Sequence, residues 1–220
     1  MKGIIMSAES VRAIMDGRKN QTRRVITPQP WTQHPLAEGK EVIFVEHMPG
    51  HWGFKLKGEK HLPGVLTTCL EKPSYKPGEV LYVKETWSIS NGNGAYPDGY
   101  FYKADKSYHM VNWRNPMYMP RVAARIFLRV SKVRAEKVKD ISENDAIAEG
   151  IEYSERGPLH WHILNLDPNG YYNYETHTEA FGEIWDKLNG KKPGCAWAYN
   201  PYVWVYEFKQ ISREEAESDE

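Results

Sequence analysis

The sequence predicts an α+β fold: a small mixed sheet or barrel flanked by helices and carrying two long irregular inserts. Three observations predict it. Helix-like and strand-like segments follow one another as helix, strands, short helix, helix, strand, with no βαβ rhythm and no internal repeat. Seven of the 14 prolines fall between residues 28 and 77, which marks an insert rather than a regular layer. A second irregular stretch, about 88–120, is rich in Gly, Asn, Tyr and Met. At 220 residues the chain can bury a real core without disulfide staples, and residues 1–211 are expected to form a single domain.

The first element is a helix opened by the N-cap residue Ser7, with Glu9 in its first turn. Val11, Ile14 and Met15 form its apolar side, and Gly17 stops it at the C′ position. The run "TRRVI" then reads as a strand. Its period of two puts Thr22, Arg24 and Ile26 on one face and Arg23 and Val25 on the other, so the adjacent arginines have different surroundings. Inside the first insert, near 28–74, "EVIFVEHMPGHWGFKL" reads as a hairpin turning at Pro49 and Gly50. Order resumes at "KPGEVLYVKETW", where Pro77 and Gly78 turn into a strand. Placing Leu81 and Val83 in the core carries Glu85 and Trp87 to that same side.

"RVAARIFLRVSKVRAEKV" is a long strand, bent or followed by a second one. "DISENDAIAEGI" is a helix of about two turns, with Ser142 as N-cap, Asp145 at N3 and Gly150 as its stop. Glu149 falls at its C-terminal end, where the helix dipole is unfavourable for an anion. "THTEAFGEIWDKLNG" is a helix with Thr176 and Glu179 as a capping box, an apolar stripe of Phe181, Ile184, Trp185 and Leu188, and Gly190 as its end. "NPYVWVYEFKQI" is the closing strand. The last residues, "SREEAESDE", hold five acids and one Arg and read as a disordered tail over 212–220.

The formal net charge is zero, but without that tail 28 basic residues face 24 acidic ones. Residues 1–24 alone hold six basic and two acidic side chains, so the positive excess surrounds the opening motif and suits an anionic partner. Eight Trp and 14 Tyr combine with a mean hydropathy of -0.68, which indicates polar surface or long loops between aromatic strands. No apolar run approaches roughly 18 residues, so no membrane span is expected. Glu9 and Arg12 interrupt any signal-peptide core, and secretion is not expected. Cys69 and Cys195 stand far apart, which fits a reducing cytoplasm better than a disulfide scaffold.

The segment "GRKNQTRR" places Arg18, Lys19, Arg23 and Arg24 together without an acid. A solvated turn of surface cations, a phosphate-binding patch and a lysine-centred catalytic site all fit that composition. In the catalytic reading Lys19, Thr22 and Glu149 act together. A threonine hydroxyl attacks only once a base takes its proton, and a lysine serves as that base only when neutral. Burial and the neighbouring arginines push the lysine pKa down. In the bland reading Glu149 is a solvated helix-end residue. The common nucleotide and hydrolase fingerprints are missing from the sequence. His160 and His162 share a face if extended, but no third ligand stands at a diagnostic spacing, so no metal is assigned. The aromatic residues of the inserts either stack on bases or cap a small core.

Taken in order, "VRAIMDGRKNQTRR", "KPGEVLYVKETW", "DISENDAIAEGI" and "NPYVWVYEFKQI" resemble the ASCH domain, a relative of the PUA RNA-binding fold, and within it the longer members common in phages and prophages. The resemblance covers both ends of the chain and its middle, but not the inserts near 28–74 and 88–115. It implies a small PUA-like β-barrel flanked by helices. Short ASCH proteins similar to this chain include a bacterial amidohydrolase that removes the acetyl group from N4-acetylcytidine. Its site uses a lysine and a threonine within G-R-K-x-x-T-x-R and a later glutamate. The matching residues here are Lys19, Thr22 and Glu149, and the last arginine of the motif is Arg24.

The resemblance thus implies a hydrolase with Lys19 as base, Thr22 as nucleophile or hydroxyl relay and Glu149 as acid, without metal or cofactor. Arg18, Arg23, Arg24, Glu85 and Trp87 are expected to bind substrate. Glu85 and Trp87 are not supplied by the short family members; their strand is expected to bring Glu85 within reach of Lys19 or Arg24 and Trp87 into the pocket wall. The other reading of this pair is a buried ion pair between Glu85 and an arginine, with Trp87 as plain core. The implied partner is a modified nucleoside or a nucleic acid. The competing function is a non-catalytic RNA- or DNA-binding module whose cleft is lined by Arg18, Lys19, Arg23 and Arg24.

Overall fold

The computed structural model describes residues 1–27, 29, 42–48, 51–56, 72–90, 99–105, 111–153, 161–162 and 174–219. The chain runs through β1 (Lys2–Ile5), α1 (Ala8–Met15), β2 (Gln21–Val25), β3 (Val42–Met48), β4 (His51–Leu56), β5 (Val80–Lys84), β6 (Trp87–Ser90) and β7 (Gly99–Tyr102). It continues through β8 (Phe127–Lys137), α2 (Glu143–Ala148), β9 (Glu152–Tyr153), β10 (Trp161–His162), α3 (His177–Asn189), β11 (Tyr202–Ile211) and α4 (Arg213–Ser218). Five strands form one sheet in the order β1-β5-β8-β11-β2, and β3-β4, β6-β7 and β9-β10 form small two-stranded sheets. Only the β1–β5 pair of the main sheet is parallel. The fold is therefore mixed α/β, and strand pairing among the described residues leaves β1 and β2 as the two ends of the sheet rather than closing a barrel.

Local chemistry accounts for the helices. The Ser7 hydroxyl accepts from the Ser10 amide at 3.2 Å and opens α1. At its other end Gly17 takes φ +73°, the Gly17 amide donates to the Ile14 carbonyl at 3.0 Å, and the Arg18 amide donates to the Ala13 carbonyl at 2.8 Å. That pair of bonds is a Schellman cap, which needs a residue tolerant of positive φ. The second helix repeats the device. Ser142 accepts from the Asp145 amide at 3.1 Å, and Gly150, at φ +93°, donates to the Ile147 carbonyl at 2.8 Å. In α3 the Thr176 hydroxyl accepts from the Glu179 amide at 3.2 Å. The Glu179 carboxylate reaches back to the Glu175 amide at 3.0 Å, one residue before the position an ideal capping box uses.

The main sheet buries both faces. One packs Ile4, Leu81, Val83, Leu128, Val130, Trp204 and Tyr206 against Val11 and Ile14 of α1. The other packs Val203 and Val205 against Phe181 and Trp185 of α3 and Ala146 of α2. Full burial of a large apolar side chain is worth about 1.5–3 kcal/mol, against ~1 kcal/mol for an N-cap. Phe181 and Trp185 therefore hold α3 more firmly than its cap does. Leu188 does not join them: it is 64% exposed, so the apolar stripe stops at Trp185.

Two further expectations change. The acidic end is ordered as α4, because Ser212 caps it, Ala216 is fully buried, and Arg129 pairs with Glu215 and Asp219. Acids in the first turn also favour a helix N-terminus. The strand through 80–87 is broken: β5 ends at Lys84, and β6 begins at Trp87. Glu85 stays buried at 1% exposure, but Trp87 joins a third cluster with Val80, Met119 and Phe127. The expected hairpin is present as β3 and β4, with its Pro49-Gly50 turn outside the described residues. His160 and Cys69 also lie outside them, while Cys195 is a buried free thiol. Among the described residues no helix is long and apolar enough to cross a membrane.

Candidate functional site

The C-termini of α1 and α2 converge, and the candidate site lies where they meet. After the Gly17 turn, Lys19 pairs with Glu149 in an isolated antiparallel bridge, and the Asn20 amide donates to the Ala148 carbonyl at 3.0 Å. Contact is close enough that a Cβ on Gly150 would stand 2.9 Å from the Ala13 Cβ and 3.2 Å from the Lys19 Cβ. Positive φ and lack of space therefore both require glycine at 150.

This backbone arrangement aims Lys19 at Glu149. The Lys19 Nζ donates to Glu149 Oε2 at 2.6 Å and to the Glu149 carbonyl at 2.8 Å. The two side chains are only 4% and 6% exposed. Burial pushes the Lys19 pKa down, Glu149 pulls it back, and Arg24 and Arg23 push it down again; the net direction is below 10.5. A lysine whose pKa is lowered, held by a hydrogen bond to a carboxylate, loses its proton more readily than a free lysine, which is what a base in this position needs.

The other Glu149 oxygen, Oε1, accepts from Arg23 Nη1 at 3.2 Å. Arg23 has a fully buried side chain and also reaches Glu136 at 2.6 Å and Asp145 at 3.4 Å. Arg134 extends the cluster through Glu136 at 2.9 Å, Asp145 at 3.1 Å and Glu207. Burial acts to raise the Asp145 pKa, but Arg134 and Arg23 outweigh it and the carboxyl is held low. Arg23 is thus committed to neighbouring acids and is not turned towards an external ligand.

Across β2 the environment is different. Thr22 stands opposite Tyr206 and Arg24 opposite Trp204, both on the first core face, while Arg23 stands opposite Val205 on the second. The alternation places the two arginines on opposite faces. Thr22 is 6% exposed, and among the described residues its hydroxyl has no hydrogen-bond partner, Lys19 included. Arg24 is exposed; it donates to the Ile5 carbonyl and touches Met6 Sδ, and has no carboxylate partner among the described residues. Arg18 pairs with Asp16 at 2.8 Å. A single cleft presenting all four cations is not built: Lys19 and Arg23 are buried in ion pairs.

Glu85 lies elsewhere. Arg125 Nε donates to Glu85 Oε1 at 2.9 Å and Arg125 Nη2 to Oε2 at 3.1 Å, while Asp105 also pairs with Arg125, at 2.8 Å. The expected reach to Lys19 or Arg24 is replaced by this pair: after β5 the Lys84 carbonyl accepts from the Met6 amide, the Glu85 amide turns to Met119 Sδ, and the Glu85 carboxylate faces Arg125. Trp87 packs against Arg114, 5.1 Å from its ring centre, and Tyr100, and not beside Lys19. Burial raises the Glu85 pKa, and Arg125 opposes the rise. Sequence reasoning missed Arg134 and Glu136, although two opposite charges at i and i+2 of one long strand share a face and form a detectable signal. Compared with protein-family models, curated proteins and solved structures, neither the chain nor its fold finds a match.

Proposed function

We propose that this protein is an ASCH-type amidohydrolase that removes an acyl group from the exocyclic amine of a nucleobase, as the resemblance to N4-acetylcytidine amidohydrolases suggests. The observation that carries the reading is the buried Lys19–Glu149 contact of 2.6 Å with the lysine pKa lowered, three residues before Thr22, whose hydroxyl has no hydrogen-bond partner among the described residues. Lys19 passes a proton to Glu149, and the neutral amine takes the proton of the Thr22 hydroxyl. Thr22 Oγ1 adds to the acyl carbon, and Glu149 returns its proton to the departing amine nitrogen as the C–N bond breaks. Water then hydrolyses the acyl-Thr22 ester by the same proton path, releasing the carboxylic acid and restoring the ammonium–carboxylate pair. Apo hydrogen bonds of this kind often tighten only with substrate bound.

The test is acetate release from N4-acetylcytidine by wild type and Thr22→Val. Because the hydroxyl is unbonded, the variant is expected to melt close to wild type while turnover falls by at least about 100-fold. Undiminished turnover in Thr22→Val would sink the mechanism.

A further inference from the structure

The motif cations are not equivalent. Arg18 has Asp16, Lys19 has Glu149, and Arg23 has Glu136, Asp145 and Glu149. Among the described residues Arg24 alone of the four lacks an acid, and it lies exposed on the same face of β2 as Thr22. Its positive charge acts to lower the pKa of both the Lys19 ammonium and the Tyr75 phenol. Opposite Thr22 and Arg24, Tyr206 and Trp204 are buried in the first core, and the rings that reach the surface here are Tyr75, which meets Tyr206 edge-on at 5.2 Å, and Trp52, which meets Trp204 edge-on at 5.4 Å. Tyr75 and Trp52 are both half-buried.

An uncompensated arginine beside an unbonded hydroxyl and an aromatic rim fits a planar group that carries an anion. We infer that Arg24 binds the phosphate of a phosphorylated substrate, so that the acylated base is presented as a mononucleotide. This rests on the reading of Thr22 as the reacting hydroxyl. A mononucleotide is favoured over a strand because, within the motif, one unpaired cation serves one phosphate, whereas strand binding is built from several phosphate contacts. Arginine suits the role because its donors match phosphate oxygens in pairs, and a single Nη is occupied by the Ile5 carbonyl.

The test is calorimetric binding at low salt of cytidine 5′-monophosphate and cytidine to wild type, Arg24→Gln and Arg24→Lys. Wild type is expected to prefer the monophosphate by about 10–100-fold, the range of a charge-assisted contact. The preference should vanish in Arg24→Gln and survive in part in Arg24→Lys. Equal affinity for the two probes, no binding of the monophosphate, or an unchanged preference in Arg24→Gln would each overturn the inference. A short oligocytidylate that binds more than tenfold tighter than the monophosphate would overturn the mononucleotide assignment. Neither nucleoside probe carries an acyl group, so the result is independent of turnover. A phosphate preference without acetate release would retire the amidohydrolase reading and leave the Arg24 subsite standing.

Discussion

Two buried carboxylate clusters stand in this fold, around Glu149 and around Glu85, and they differ in what they leave unsatisfied. Glu85 meets Arg125 in a two-bond fork, and the remaining Arg125 charge is shared with Asp105 and covered by the Tyr102 ring, 4.0 Å from the guanidinium carbon. Glu149 divides its oxygens between Lys19 and Arg23, its lysine has a lowered pKa, and across the strand stand a hydroxyl without a hydrogen bond and an arginine without an acid among the described residues. A buried ion pair by itself therefore does not mark a reactive site. What sets the Glu149 side apart is the exposed Arg24 charge near it, and not a missing partner alone, since Trp87 Nε1, two residues from Glu85, is also buried without a partner among the described residues.

The largest expected effect separates the clusters by stability. Glu85→Ala removes the two charge-assisted bonds of the fork while Arg125 keeps Asp105, and is expected to cost about 2–3 kcal/mol. Turnover per folded molecule should remain within about twofold, with the bound monophosphate unaffected. Thermal melting together with active-site-normalised acetate release checks both. A variant that melts normally but loses turnover would move Glu85 into the working site and erase the distinction.

The next effect is on chemistry. Lys19→Met keeps most of the side-chain volume but removes the base, and at least about 100-fold of turnover is expected to go with it. The same variant bears on pH. Lys19 has a folded pKa below its unfolded value, so between the two the unfolded chain holds more protons and stability rises with pH. Glu85 has a raised pKa, so its contribution is fully present below 4.5 and is lost as pH rises through the folded value. The two clusters are thus expected to give slopes of opposite sign at opposite ends of the scale. Denaturant unfolding across pH checks this, with Lys19→Met abolishing the alkaline slope and Glu85→Gln the acid one.

How much of this was readable beforehand depends on whether a feature is local. The caps at Ser7 and Gly17, and at Ser142 and Gly150, could be read because each involves a few adjacent residues, and they set where Lys19 and Glu149 emerge. The split between Arg23 and Arg24 could be read from strand alternation alone. The partners of Arg23 could not. Val205 stands opposite Arg23 on one side and Arg134 on the other, a register fixed only when β11 inserts between β2 and β8. The break after Lys84 was hidden for the same reason: the Lys84 carbonyl is taken by the Met6 amide, and the Glu85 amide turns to Met119 Sδ. In α4 acidic composition argued for disorder, but one small residue, Ala216, packs fully into the third cluster.

The smallest predicted effect concerns how the Glu149 cluster is held in place. Glu143, in the first turn of α2, accepts from the His177 and Thr178 amides at the start of α3, at 2.9 and 3.1 Å, and from the Thr178 hydroxyl at 2.6 Å. Its slight burial acts upward on the pKa, but these bonds more than cancel it and hold the carboxyl down to about 2. A depressed carboxyl contributes stability that is present above 4.5 and is lost as pH falls from there towards 2. The side chain is 47% exposed, so solvent screening limits the effect to under about 1 kcal/mol. Because α2 carries Glu149 at its far end, the loss should loosen that helix before it touches β5. Hydrogen exchange at pH 3.5 to 6 in wild type and Glu143→Gln checks this. The α2 amides of wild type should lose protection as pH falls, after correction for intrinsic exchange, while those of β5 hold. The variant should show the weaker protection already at pH 6, and equal change in both segments would mean that α2 is held only by its packing on α3.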